Sequence, residues 1–272
     1  MELPDLEVLK DNLAPRTVGR TVRGVDVCRP DLWRTPHLGP DVLRGQRLAG
    51  VDRRGQYLIL VATGRVQLAL YLADHGWLWH GGSAYVPTRS TALRLSLDDG
   101  NDLRLIEPGP RKLTGLWVGT TPPAPLQELG PDPLSAEFTL AAFRQGLAGR
   151  RRQLKRALLD PQLVAGLGEA YADEILFSAR LSPFRYLHTL SGDEMARLYT
   201  AVPGTLRQAI QAIRSRVRTE LFDREVRDFL FVHGRARQPC RVCGTPVGEV
   251  LLGGQRTNYC PRCQGVNRPP VE

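Results

Sequence analysis

The sequence predicts an α+β protein of several domains: a mostly β N-terminal part, a helical middle and a C-terminal hairpin closed on zinc. Three observations lead there. Between Val18 and about Val118, short alternating segments broken by Gly, Pro and Asp-Asp-Gly turns read as strands of a β sandwich or flattened barrel. From Ala136 to Phe222, apolar residues recur at helical spacing. Near the end, Cys240-x-x-Cys243 and Cys260-x-x-Cys263 stand 16 residues apart, the spacing of a four-thiolate zinc site.

Taken in order, Met1 to Leu9 leads into a short amphipathic helix. Leu6, Leu9 and Leu13 share its face, and Pro15 is expected to end it. Strands are expected at 58–61, 67–72, 93–97 and 103–106. Residues 120–135 hold five prolines and read as a linker. Helices are expected at 138–147, 150–159, 169–180, 191–201 and 203–217, with Gly or Pro between them. The expected domains are therefore 1–119, a linker at 120–135, 136–225 and 226–272.

The cysteine module should form a hairpin with arms at 247–252 and 257–259 and a Gly253-Gly254 turn. Each Cys pair can curl round one side of a tetrahedral ion. A site closed by four sulfurs has no open position for a substrate, so one structural Zn2+ is expected. Disulfides or coincidental thiols are the alternatives. Four of the five cysteines fall in this one pattern and no signal peptide opens the chain, which favours metal.

Lys and Arg outnumber Asp and Glu 37 to 28, a net charge of +9 that suits a polyanionic partner. Nucleic acid ranks ahead of a membrane surface, because no basic amphipathic terminal helix stands out and no apolar run is long enough to span a bilayer. A basic protein with no such partner is the plain alternative. Reduced cysteines and the lack of a targeting segment point to the cytoplasm, associated with the nucleoid if the partner is DNA. A monomer is expected.

Two clusters fit such a partner. Arg144 to Arg156 contains six basic residues and no acid, and Arg235, Arg237, Arg241, Arg256, Arg262 and Arg268 surround the cysteines, with Glu249 the only acid between His233 and Arg268. Gly166-Leu167-Gly168 precedes a helix, a turn that suits a phosphate or simply permits close packing. His75 and His80 with Trp77 and Trp79 read as strand-end and core residues before they read as a base pocket. Cys28 reads as a small buried hydrophobe, and His188 and His233 as structural. Glu169, Asp173 and Glu174 fit capping or ion pairing in the helical part better than a metal site.

Three separated segments carry a more specific resemblance: ELPDLE at the start, GLGEAYADEILF followed by Leu181-Ser182-Pro183, and QPCRVCGTPV…YCPRCQ at the end. Together with LGPDPLS at 129–135, the chain resembles the formamidopyrimidine-DNA glycosylase / endonuclease VIII family. The resemblance implies an N-terminal β sandwich, a helix–two-turn–helix domain and a zinc finger gripping double-stranded DNA, damaged or abasic. It also implies base flipping, N-glycosidic cleavage and strand nicking.

In that family the nucleophile is an N-terminal proline followed by Glu-Leu-Pro. Here alignment puts Met1 in the proline's place, ahead of Glu2-Leu3-Pro4. A retained Met1 offers a primary α-amine that can form a Schiff base with C1′ of a flipped nucleotide, and Glu2 matches the family's carboxylate. Gln56 replaces the family's β-turn lysine, Glu169 its helix–two-turn–helix asparagine beside Gly168, and Gln255 its finger arginine, with Arg256 adjacent. The family's His-Leu-Gly-Met-Ser-Gly becomes Tyr71 to Gly76, without the Met. Pro110-Arg111-Lys112-Leu113 resembles the wedge that fills the gap left by an extruded base. Lys155 matches a phosphate-binding lysine, and the insert that covers an oxidised purine is missing.

The resulting expectation is a base-excision DNA glycosylase with AP lyase activity, using Met1 and Glu2. The alternative is a catalytically inactive relative that binds damaged or abasic DNA, suggested by Gln56, Glu169 and Gln255 together. A third is an RNA- or ribosome-associated role, since zinc ribbons occur there too.

Overall fold

The computed structural model describes residues 1–73, 75–252 and 254–266. Its residues group into two compact units: Met1, Leu3–Gln127 and Ile213–Glu225 form one, and Glu2, Glu128–Ala212 and Val226–Glu272 form the other. The boundary at 127/128 falls inside the proline-rich stretch. The zinc module belongs to the same unit as most of the helical part.

The first unit opens with α1 (Leu3–Thr17), whose Leu3, Leu6, Leu9 and Leu13 are fully buried. The helix runs past Pro15, which sequence reasoning expected to end it. A proline removes only its own N–H and crowds the carbonyl four residues back. That carbonyl belongs to exposed Asp11, while Val18 N–H still reaches Ala14 O at 2.9 Å.

Eight strands follow: β1 (Val22–Val27), β2 (Leu48–Arg54), β3 (Tyr57–Ala62), β4 (Gln67–Tyr71), β5 (Trp77–Gly82), β6 (Thr91–Leu97), β7 (Asn101–Ile106) and β8 (Gly115–Gly119). They build two four-stranded antiparallel sheets, β1-β6-β7-β5 and β2-β3-β4-β8. Leu93, Leu95 and Leu97 in β6 are buried in alternation with half-buried Arg94 and Ser96, the period expected of a sheet with one face in a core. Helix α1 packs on β2 and β3. Alternation is confined to β6 from Leu93 on; β3, β4 and β7 carry runs of three or more buried residues, and β5 keeps only Leu78 buried.

Cys28, expected to be buried, is exposed just beyond β1. His75 is likewise exposed. Trp79 lies under the Arg104 guanidinium, 4.6 Å from its ring centre, with Tyr85 edge-on. This arrangement packs the indole against its own sheet.

The second unit contains α3 (Leu140–Leu147), α4 (Leu154–Leu158), α5 (Glu169–Ser178) and α6 as far as Ala212, with a one-turn helix α2 (Ala124–Gln127) preceding them in the first unit. Helix α6 (Gly192–Val217) is continuous through Pro203, where sequence reasoning placed a break between two helices. The stripe Leu198, Val202, Leu206, Ile210 and Ile213 is buried along its whole length. Packing of that stripe outweighs the single hydrogen bond that the proline gives up. Sequence reasoning missed the helix's start signal: Ser191 Oγ accepts from Glu194 N–H, and the Glu194 carboxylate accepts from Ser191 N–H, a capping box.

The hairpin of β9 (Gly248–Leu252) and β10 (Gln255–Tyr259) pairs Leu252 with Gln255, leaving a two-residue turn. Of the expected Gly253-Gly254 turn, Gly254 has φ +79°, and Gly253 lies outside the described residues, as do Asp74 and Arg268. Among the described residues, no helix is long and apolar enough to cross a membrane.

Candidate active site and nucleic-acid interface

In the first unit, the Met1 α-ammonium donates to Ala73 O at 2.7 Å and lies 3.1 Å from Glu225 Oε1. Only 3% of the Met1 side chain is exposed, against 37% for Glu225. Asn12 in α1 donates to Glu220 O at 2.8 Å, which ties the segment carrying Glu225 to the helix that Met1 precedes. Sequence reasoning missed Glu225, since nothing local marks it.

The β2–β3 turn is fixed from beneath. Arg53, 5% exposed, donates to Glu7 Oε2 at 2.7 Å and to Gly55 O at 3.2 Å, and Gly55 takes φ +57°. Burial pushes the Glu7 carboxyl up, but hydrogen bonds from Arg53 and Lys10 outweigh it and leave the group below its usual range. Gln56, the replacement for a lysine, is the second residue of that turn and half-buried.

The loop bearing Arg111, Lys112 and Leu113 hangs on one buried carboxylate. Glu107, 1% exposed, pairs with Arg29 and accepts from Leu113 N–H at 2.7 Å, Thr114 N–H at 3.0 Å and Thr114 Oγ1 at 2.7 Å. Lys112 folds back to Glu107 O. Arg111 and Leu113 are left outward, Leu113 half exposed. A rigid base with an exposed aliphatic tip is what a wedge needs.

In the second unit, the Glu2 carboxylate caps α5. It accepts from Gly168 N–H at 2.7 Å, Ala170 N–H at 3.0 Å and Tyr171 N–H at 3.3 Å. For the Gly-x-Gly turn a phosphate and close packing were both open, with Gly168 named as a DNA contact. The Gly168 N–H and two N–H groups of the first turn of α5 are taken up by the chain's own anion, which the helix dipole favours just as well. A Cβ on Gly168 would stand 2.5 Å from Glu2 Cδ, so the glycine is required by this approach. Glu169 is the first residue of α5 and half-buried.

Lys155 was expected to meet a phosphate, and the structure puts it elsewhere. Its ammonium, 5% exposed, pairs with Asp173 Oδ1 at 2.7 Å and donates to Arg256 O. Asp173 Oδ2 faces His233 Nδ1 at 2.9 Å and accepts from Asn258 N–H at 3.0 Å. A buried ammonium spends its charge on such partners, because leaving it unpaired would cost several kcal/mol. The neighbouring Glu174 accepts from the N–H groups of Phe231, Val232 and His233 at 2.8–2.9 Å. Burial pushes its carboxyl up despite those three bonds.

The four sulfurs of Cys240, Cys243, Cys260 and Cys263 lie within 4.8 Å of one another, with 3.9 Å between Cys240 and Cys263 and 3.5 Å between Cys243 and Cys260. Tetrahedral Zn–S bonds of about 2.3 Å put sulfurs ~3.8 Å apart, so the donor set fits a closed zinc site. Hydrogen bonding from Thr245 pulls the Cys243 thiol down to about 6, whereas burial pushes Cys260 and Cys263 up. Two of the surrounding arginines hold the module itself: Arg241 donates to Asp228 O and Phe229 O, and Arg235 to Pro239 O. On β10, Gln255 lines a hollow with Arg152 and Arg156, while Arg256 is 62% exposed and 3.7 Å from Glu249.

Sequence and structure comparisons agree with this arrangement. Three family models match: the formamidopyrimidine-DNA glycosylase N-terminal domain over residues 1–115, its H2TH domain over 129–220, and a zinc finger found in FPG and IleRS over 237–266. A formamidopyrimidine-DNA glycosylase of Symbiobacterium thermophilum is 37% identical, over 97% of this chain and 89% of its own. That of Thermus thermophilus is 36% identical, over 97% and 98%. The crystal structure of the MutM (Fpg) protein from Thermus thermophilus superposes with a TM-score of 0.84 at 34% identity, covering 97% of this chain and 99% of that one. Lactococcus lactis Fpg in complex with abasic-site DNA superposes at 0.86 with 25% identity and the same coverage.

Proposed function

Because the chain belongs to the formamidopyrimidine-DNA glycosylase family, we propose that it is a base-excision DNA glycosylase with associated AP lyase activity, acting on damaged double-stranded DNA at the nucleoid. The observation that carries the reading is the Glu2 carboxylate. It is held by three N–H groups at the start of α5, immediately after the residue whose amine would react.

The Met1 amine attacks C1′ of an extruded nucleotide, and the base leaves as the C1′–N bond breaks. Glu2 handles protons at the sugar ring oxygen as the ring opens to a Schiff base. Glu225 is the acceptor placed to take the amine's proton. Arg111 and Leu113 enter the gap in the duplex, with Lys112 bracing their loop. Gln56 in the first unit and Glu169, Gln255 and Arg256 in the second each contact DNA, Gln56 and Gln255 as neutral hydrogen-bonding groups. Lys155 and Gly168 act from beneath, one anchoring the finger and the other admitting Glu2. The division of labour follows the segments 1–119, 136–225 and 226–272. Zinc holds the finger's shape and takes no part in the chemistry.

Sodium borohydride reduces a Schiff base to a stable amine, so it tests this reading. Zinc-loaded full-length protein mixed with abasic-site duplex should give a covalent adduct mapping to Met1. Glu2→Gln and Glu225→Gln should each slow trapping by about 10²-fold, the scale of general acid–base catalysis. The Glu225→Gln loss should shrink at high pH, where hydroxide takes the proton. Protein with a sequenced, free Met1 that binds the duplex yet gives no adduct would be a non-catalytic binder, and the reading would be wrong.

A further inference from the structure

Two loops of the second unit meet away from Glu2 and the cysteines. Leu154 N–H donates to Arg185 O at 2.8 Å and Leu187 N–H to Arg152 O at 2.9 Å, so Gln153 and Tyr186 form an antiparallel bridge. This clip presents Arg151, Arg152, Gln153, Arg156 and Tyr186 round an open hollow of about 530 Å³. Arg152 is partly engaged by Asp160 at 2.8 Å. Among the described residues, the side chains of Arg151 and Arg156 have no ion pair or hydrogen bond, and both are exposed. The Tyr186 ring is 45% exposed, with His188 tilted beside it at 5.7 Å.

We propose that this clip binds an unpaired stretch of DNA, one base stacking on Tyr186 while Arg151 and Arg156 meet the flanking phosphates. An exposed aromatic ring that shares one hollow with uncommitted guanidinium groups suits the flat bases and anionic linkers of a single strand. A duplex interior does not offer that pattern, because its bases already stack on each other. A free nucleotide is a poorer fit, since small-ligand sites enclose most of the ligand and this one is open. The backbone bridge fixes the main chain on either side of Tyr186 and Gln153 before any ligand arrives, so little backbone ordering is lost on binding. The inference rests on the DNA reading above but uses none of its catalytic residues.

Fluorescence anisotropy can separate the two. The probes are a blunt duplex and the same duplex carrying a tail of about six thymidines on either strand end, within single-strand site sizes. The zinc-loaded full chain should bind at least one tailed duplex about tenfold more tightly than the blunt one. Tyr186→Ala should abolish that gain and leave blunt-duplex affinity unchanged, whereas Tyr186→Phe should keep it. The Arg151→Ala/Arg156→Ala pair should flatten the tailed duplex's log–log salt dependence by about 1.4, two phosphates at ~0.7 each. Equal affinity for tailed and blunt duplexes, or a gain that survives Tyr186→Ala, overturns the proposal. Binding to neither duplex removes the DNA reading with it.

Discussion

Gly168 shows how much one absent side chain can position. Its Cβ would collide with the Glu2 carboxylate, yet the obstacle is the end of a flexible side chain. Gly168→Ala should therefore fold, losing about 1–2 kcal/mol as Glu2's charge-assisted bonds are given up. Schiff-base trapping should fall far more than stability. Thermal melting and trapping on the same preparation check this, and unchanged trapping would show that Glu2 need not be held there. At this scale the sequence was legible in part. The order Met1-Glu2 and the Gly-x-Gly turn could be read, with phosphate and close packing both open, but not that the anion filling the turn is the chain's own carboxylate. Glu225 could not be read at all, because its partner is an amine at the far end of the sequence. Lys155 was misassigned because a lysine's surroundings decide whether its charge faces solvent or a buried carboxylate.

Among the elements, α6 was the hardest to read and has a clear test. Pro203 argued for a break, while Ser191-Gly192-Asp193-Glu194 carried an unused start signal. Hydrogen bonds from Arg185 and then from Ser191 N–H hold the Glu194 carboxyl down at about 2, below an ordinary value of 4.5. A carboxyl depressed in the folded state adds stability that is present above the unfolded value and lost as pH falls through the folded one. Between about pH 4.5 and 2, the wild type should therefore lose more stability than Glu194→Gln, in urea midpoints measured across that range. Parallel curves would mean the box contributes nothing. Ser191→Ala should cost about 1 kcal/mol at neutral pH. The strands β3, β4, β6 and β7, dense in Leu, Ile and Val, were recognisable, whereas β1, β2, β5 and β8 were not, since their half-buried faces carry Arg, Trp and Gly.

For the whole molecule, the metal is the main lever. Phe177 of α5 belongs to one buried cluster with Val232, Val247, Cys240 and Cys260, so removing zinc should disturb α5 as well as the hairpin. Structural zinc in small modules contributes about 10–16 kcal/mol of apparent folding energy. One equivalent of zinc should be released on thiol modification, and a strong chelator should lower both the melting temperature and the affinity for duplex DNA. A chelated protein that keeps both would show the ion to be dispensable. The cysteine spacing made this module the most legible part of the chain, but not its mooring. Asp173 receives a lysine from α4, a histidine from the loop before the cysteines and a main-chain N–H from β10. Anyone grafting this hairpin onto another member of the family would need a host that offers both Lys155 and Asp173, because a host with one and not the other would be left with an unpaired buried charge.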